Sequence, residues 1–196
     1  MIVMTDYDMA ALVAQVKAKL SPYRFEHCVR TSQRSVELAQ LNHADLQKAQ
    51  VAGLVHDYAK ERSAEEFMKV IKQEHLDSDL LNYGNAIWHG VVGVYFIKRE
   101  LGIYDEEILN AVRKHTTAAE VMTTLDKIVF MADYTESGRD FEGVEQARQL
   151  TDRDLDAGVS YQLAHTLQLL VNKQQQIYPK TIDSYNKWVV ARQDEK

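Results

Sequence analysis

His56 and Asp57 stand side by side in the run Gly53-Leu54-Val55-His56-Asp57-Tyr58-Ala59-Lys60, an imidazole next to a carboxylate at the polar end of an apolar stretch. Ala49, Ala52, Gly53 and His56 fall on one face by helical spacing. Four more residues able to bind a metal lie in similar settings: His27 upstream, then His89, His115 and Asp133 downstream, each in a different expected helix. With seven His in the chain an isolated His-Asp pair carries little weight, so the argument rests on the ordered set. Imidazole and carboxylate donors without thiolates suit iron, manganese, cobalt or zinc, not a closed Cys-rich structural site. A cation so held supplies hydroxide at neutral pH and offsets charge on phosphoryl oxygens. His56 and Asp57 are the candidate catalytic pair, Asp57 able to bridge two ions through its two oxygens.

Taken singly, each residue has a plainer reading. Asp133 ends Ile128-Val129-Phe130-Met131-Ala132-Asp133 and shares a face with Val129 and Phe130, where a buried carboxylate is costly unless paired or bound to a cation. It could equally reach solvent or pair with Arg139 or Lys127. His115 closes an apolar stripe of Ile108, Ala111 and Val112, and His89 lies in apolar Ala86-Ile87-Trp88-His89-Gly90-Val91-Val92; either could be a hydrogen-bonded core histidine. His27 shares its face with Arg24, Thr31 and Arg34, a pattern that also reads as surface. Lys60, three and four residues beyond the His-Asp pair, is a candidate phosphate contact or a solvated helix-end lysine. Arg139 follows Asp133 in a loop, where its fork could clamp a terminal phosphate or pair with Asp140 or Glu136. His43, His75 and His165 read as surface or core-edge residues. The five coincidences together weigh against the plainer readings.

The elements that must position these groups are helices. Thr5, with Asp8 three residues on, resembles a capping box for a helix to about Leu20. Ser21-Pro22 is a cap followed by proline at the first helical position, opening a helix that carries His27 to about Leu41. Asn42-His43-Ala44-Asp45 is a turn before the His-Asp helix, and Ser63 with Glu66 caps a helix to about Glu74. Asp77 to Gly84 reads as a loop, Ile87–Leu101 as one helix ended by Gly102, and Asp105 as the cap of a helix through His115. Thr124–Tyr134 forms the next helix, a polar loop spans 136–143, and a short helix to Leu150 precedes a long one from about Asp154 to Gln176. A last helix follows Pro179. No segment alternates like a strand, so the fold class is all-α.

The 196 residues suit one domain spanning 1–196, with a core over about 21–143 and C-terminal helices over about 144–191. Two Pro and eight Gly also favour helices. The single Cys, Cys28, excludes an intrachain disulfide and fits a reducing cytoplasm; it reads as a small core residue. The N-terminus lacks signal-peptide character, and no uncharged run is long enough to span a bilayer. Net charge is −6, from 23 basic and 29 acidic residues, which argues against a nucleic-acid surface but leaves room for a small anionic substrate. Oligomeric state stays open, a homodimer included.

Five segments carry a family resemblance: His27-Cys28-Val29-Arg30-Thr31, Gly53 through Lys60, Trp88-His89-Gly90, His115-Thr116-Thr117 and Leu125 through Tyr134. Through them the chain resembles the HD-domain superfamily, and within it the YqeK-type symmetrical dinucleoside-tetraphosphate hydrolases, from about Ser21 to Gly143. The resemblance implies an all-helical HD bundle with a C-terminal helical extension. It implies a divalent transition metal, iron or else manganese or cobalt, as one or two ions. The implied reaction splits diadenosine tetraphosphate and its relatives into two nucleoside diphosphates, ADP or GDP. It makes His27, His56, Asp57 and Asp133 the primary ligands, and leaves open whether His89 and His115 complete a second metal site or touch phosphate. Substrate contacts would come from His27, Lys60, His89, His115, Thr116, Asp133 and Arg139. Ala118 stands where Gly is expected after His115-Thr116-Thr117, and Thr135 and Ser137-Gly138 also depart from the pattern, which bears on loop shape and nucleotide preference. Other readings are a related phosphohydrolase acting on a mononucleotide or alarmone, or a nucleotide-binding regulatory module without turnover.

Overall fold

The computed structural model describes residues 7–191, so the expected Thr5 cap lies outside the described residues. Among them none is in a strand. Asp8 caps α1 (Met9–Lys19), accepting from the Ala11 amide at 3.0 Å. Ser21 caps α2 (Pro22–Leu41), and Asp45 caps α3 (Leu46–Val55). α4 (Ala64–Gln73) opens with the expected Ser63–Glu66 capping box. Then come α5 (Asn85–Val91), α6 (Gly93–Phe96), α7 (Glu106–Lys114), α8 (Thr124–Thr135), α9 (Val144–Arg153), α10 (Leu155–Asn172) and α11 (Pro179–Tyr185).

Two expectations need correction. The segment over 77–84 is not plain loop: Ser78–Asn82 forms a 3₁₀ turn capped by Asp77. The single helix over Ile87–Leu101 is instead α5, α6 and a π-helical turn, Ile97–Leu101, stopped by Gly102 at φ 65°. A continuous apolar run looks the same whether or not the hydrogen-bond register shifts inside it.

α3 and α8 are central: α3 packs on α2, α7 and α8, and α8 also meets α9 and α10. Both are apolar nearly all round, the condition for an internal helix: Val51 through Val55 are buried in α3, and Ile128 through Ala132 in α8. The amphipathic α7 covers both, burying Ile108, Leu109, Ala111 and Val112, while α4 buries Phe67, Val70 and Ile71, with Phe67 packed on Trp88 and Phe96. A Cβ on Gly53 would lie 2.9 Å from the Ser32 Cα and 3.0 Å from the Thr31 carbonyl, so glycine lets α3 press onto α2. The C-terminal segment is tied back by Trp188, whose indole N–H donates to the Ala119 carbonyl at 2.8 Å.

Candidate metal centre and substrate cavity

All six candidate donors meet in one place, though they come from elements far apart in sequence. His27 lies in the second turn of α2, His56 caps the C-terminus of α3, and Asp57 follows it. His89 is in α5, His115 caps α7, and Asp133 lies in the last turn of α8. His27 is 3 % exposed, so its surface reading is wrong. Its polar face is polar because it borders a charged centre: Arg24 donates to Asp57 Oδ2 at 2.7 Å.

Asp57 divides the centre. Its Oδ2 lies 3.7 Å from His27 Nε2 and 3.6 Å from His56 Nε2. Its Oδ1 lies 3.3 Å from His89 Nε2 and 3.7 Å from His115 Nε2. Asp133 Oδ1 joins the first group, 3.1 Å from His27 Nε2 and 3.8 Å from His56 Nε2. The trios His27–His56–Asp57, His56–His115–Asp133 and Asp57–His89–His115 each bring three donor atoms within 4.8 Å of one another.

The second ring nitrogens decide the tautomers. Nδ1 of His56 donates to the Gly53 carbonyl at 2.7 Å, that of His89 to Asn85 at 2.5 Å, and that of His115 to Val112 at 2.7 Å. His27 Nδ1 donates to Glu136 Oε1 at 3.1 Å. A neutral ring protonated at Nδ1 carries a bare lone pair on Nε2. Yet the Nε2 atoms of His27 and His56 stand 3.2 Å apart, and those of His89 and His115 stand 3.0 Å apart. Two lone pairs at that separation cannot bond each other; a shared cation relieves them. Asp57 Oδ1 is likewise buried without a hydrogen-bond partner. The residues therefore fit a divalent metal, which also needs such outer partners to fix its imidazoles.

Electrostatics agree. Burial pushes His56 down to about 4 and His89 down to about 3, against the opposing pull of Asp57, so both rings are neutral at pH 7. Burial alone would raise Asp57, but His56, His115, His89 and Lys60 hold it well below the usual carboxylate range. Asp133, also opposed by burial, is held down by His27, His56 and Arg139. Cys28 is fully buried, and burial followed by the Asp57 charge pushes its thiol up, which leaves it an inert core residue.

A cavity of about 460 Å³ opens from the centre. Its inner end carries Lys60, His89, His115, Thr116 and Asp133. Lys60 is not on the His-Asp helix face as expected, because α3 stops at Val55. A tight turn, Lys60 amide to Asp57 carbonyl at 2.8 Å, brings its Nζ to 3.1 Å from His89 Nε2. Thr116 Oγ1 is buried there with no partner. Arg139 does not line this cavity; its Nε donates to the Asp133 carbonyl at 2.8 Å and its Nη2 to Asp133 Oδ1. Of the set-aside histidines, His43 and His75 sit at turns with φ 52° and 50°, and His165 stacks on Tyr161.

Sequence reasoning passed over two supports. Glu136 is 1 % exposed and binds His27, while its Oε2 accepts from Arg30 Nε at 2.7 Å and from the Gly138 amide at 2.5 Å. Arg24 steadies Asp57. Glu136 begins a polar loop, and its partner lies 109 residues away, so no local pattern reveals the pair. Gly90 has a role like that of Gly53: a Cβ there would lie 3.1 Å from Thr116 Oγ1 and 3.2 Å from the Val112 carbonyl. One glycine brings α2 and α3 together beside His27 and His56; the other brings α5 and α7 together beside His89 and His115.

The family model for the HD domain matches residues 24–138, and the chain belongs to that family. Its relatives narrow the likeness. Proteins named bis(5'-nucleosyl)-tetraphosphatase, symmetrical, from Bacillus subtilis (strain 168) and Halalkalibacterium halodurans are each 38 % identical to it. The first alignment covers 91 % of this chain and 96 % of the relative, the second 90 % and 95 %. A relative of the same name from Staphylococcus aureus is 36 % identical over 87 % of this chain and 89 % of its own length. A 1.50 Å crystal structure from Clostridium acetobutylicum, described as a predicted HD superfamily hydrolase involved in NAD metabolism, superposes with a TM-score of 0.89. It is 30 % identical, and the match covers 95 % of this chain and 98 % of that one.

Proposed function

We propose that this protein is a metal-dependent phosphohydrolase that splits diadenosine tetraphosphate and related dinucleoside polyphosphates symmetrically into two nucleoside diphosphates. The observation that carries the proposal is the buried Asp57 carboxylate lying between two imidazole pairs, one of which, His89 and His115, lines a 460 Å³ cavity. The names of the full-length relatives supply the substrate class. In this reading His27, His56, Asp57 and Asp133 hold one ion, and Asp57, His89 and His115 hold a second, iron being favoured and manganese or cobalt able to replace it. When bound, such ions neutralise phosphoryl oxygens and lower the pKa of water to near neutrality.

The chain's own residues supply the rest. Lys60 and Thr116, at the inner end of the cavity, bind phosphate oxygens that arrive there. Arg139 fixes the Asp133 carboxylate and adds positive charge beside it, complementing charge that spreads over the phosphoryl oxygens during transfer. The cavity seats one nucleoside diphosphate half with its terminal phosphate at the centre. Water attacks that phosphorus in line with the departing oxygen, and the other half leaves as a second diphosphate.

Product chromatography tests this. Diadenosine tetraphosphate should give only ADP, and ¹⁸O from water should enter the terminal phosphate of one ADP per turnover. Chelator should abolish the activity, and iron, manganese or cobalt should restore it. ATP with AMP as products would refute symmetrical cleavage. No turnover of any dinucleotide by metal-loaded protein would refute the substrate class.

A further inference from the structure

Past the metal centre, the cavity is walled by parts of the chain beyond residue 138, where the HD match ends. α10 turns one face into it: Gln162, Thr166 and Leu170, at intervals of four residues, all line the space. Tyr83 and Tyr178 line it as well, packed edge to face with ring centroids 4.9 Å apart. This outer part mixes aromatic and apolar side chains with uncharged polar ones such as Thr166, Gln175 and Gln176, in contrast to the ionic inner end.

Gln162 is the anomaly in that wall. Its side chain is 6 % exposed, and its amide oxygen is buried without a hydrogen-bond partner. A buried amide left unpaired is unfavourable. It is better placed if the missing partner arrives with the ligand. A glutamine amide offers an acceptor beside a donor, the complement of a purine edge that presents a donor beside an acceptor, such as the amino group and ring nitrogen of adenine or the N1–H and O6 of guanine. Rings of tyrosine and the Leu170 side chain suit the faces and edges of a planar base. A volume near 460 Å³ is within the roughly 300–1,000 Å³ of small-molecule sites.

We infer that Gln162 recognises the purine base of the retained nucleotide through a two-point amide contact in a pocket built by α10, Tyr83 and Tyr178. The inference rests on the nucleotide reading above and adds a division of labour to it. The HD region handles phosphate, and the C-terminal helices handle the base.

Calorimetry on metal-loaded protein separates the two ends, with ADP as the probe of the whole site and inorganic pyrophosphate as the probe of the metal end alone. Gln162→Met keeps the length and bulk of the side chain and removes both hydrogen-bonding groups; Gln162→Leu is the second variant. Each should weaken ADP binding roughly tenfold, as expected for losing two neutral hydrogen bonds, and leave pyrophosphate binding as in the parent protein. Unchanged ADP affinity in both variants overturns the inference. So does a parallel loss of ADP and pyrophosphate, which would mark Gln162 as structural, and so does a parent protein that binds no ADP. Should diadenosine tetraphosphate not be split at all, selective loss of ADP binding would still uphold the base contact, and the reaction alone would be wrong.

Discussion

The two imidazole pairs flanking Asp57 are built differently. His27 and His56 belong to α2 and α3, tightly apposed helices, and their surroundings are ionic: Glu136 behind His27, Arg24 on Asp57 Oδ2, and Arg139 on Asp133. His89 and His115 are both braced by backbone carbonyls, and they face Lys60, Thr116 and the open cavity. A carboxylate behind an imidazole makes it a stronger donor, and a carbonyl mainly fixes its orientation. In the proposed reading, His27 with its carboxylate support would hold a cation more tightly, and the second pair would share one with a substrate.

The harshest way to break that contrast is Asp57→Ala, which removes the carboxylate common to both pairs. Metal analysis should find both ions lost, and turnover should fall on the order of a thousandfold or more, the scale of losing a preorganised electrostatic group. Full metal content with normal turnover would dismiss the centre altogether. Next comes a matched pair of variants. His27→Ala should strip the tightly held ion, whereas His89→Ala should lower turnover by about a hundredfold while that ion stays bound. Equal metal loss in the two would erase the asymmetry.

Glu136→Gln probes the carboxylate support by itself. Metal affinity should drop by about ten- to a hundredfold, the usual cost of losing such an outer partner, with the fold intact by circular dichroism; unaltered affinity would leave the ionic setting without a role. Acid offers a gentler test. Burial lowers His56 from the ordinary 6.5 to about 4 and His89 to about 3, so the unfolded chain takes up protons before the folded one. In chelator, the melting temperature should therefore be highest above about pH 6.5 and decline as the pH falls through 4 toward 3. Metal should delay the decline. A melting temperature flat over that range would mean the rings are not buried and neutral. The smallest effect belongs to the loop beside the second pair. Ala118 adopts φ 54°, a left-handed conformation, as the sequence hinted by placing alanine where glycine is expected. Ala118→Gly should raise stability by about 1 kcal/mol in denaturant titration, metal content unchanged; a loss of stability would show that the alanine methyl's packing outweighs its strain.

Much of this was readable in advance for local reasons. Ser21-Pro22, the Ser63–Glu66 box and Asp105 announce helix starts because capping is a contact over two or three residues. The six donors stood out because His or Asp at the end of an apolar stripe is unusual. What escaped notice depends on distant chain segments. Arg24 and Arg34 made the His27 face resemble surface, since periodicity distinguishes polar from apolar and cannot separate water from a charged interior. Glu136 in a polar loop carried no sign of burial. The Thr123–Asp126 capping box of α8 also escaped, although the expected start at Thr124 is the observed one. The π-helical turn within 97–101 has no compositional mark either.

The Trp188 tie also has an optical consequence. The chain contains two tryptophans, in different settings: Trp88 is buried next in sequence to His89, and Trp188 fastens the C-terminal segment to Ala119. Trp188→Phe would leave one fluorophore on α5, packed against Phe67 and one residue from His89, and Trp88→Phe would leave one on the C-terminal strap. Emission from the first variant should follow metal loading, and emission from the second should follow nucleotide binding, so two spectra could time separately the filling of each end of the cavity.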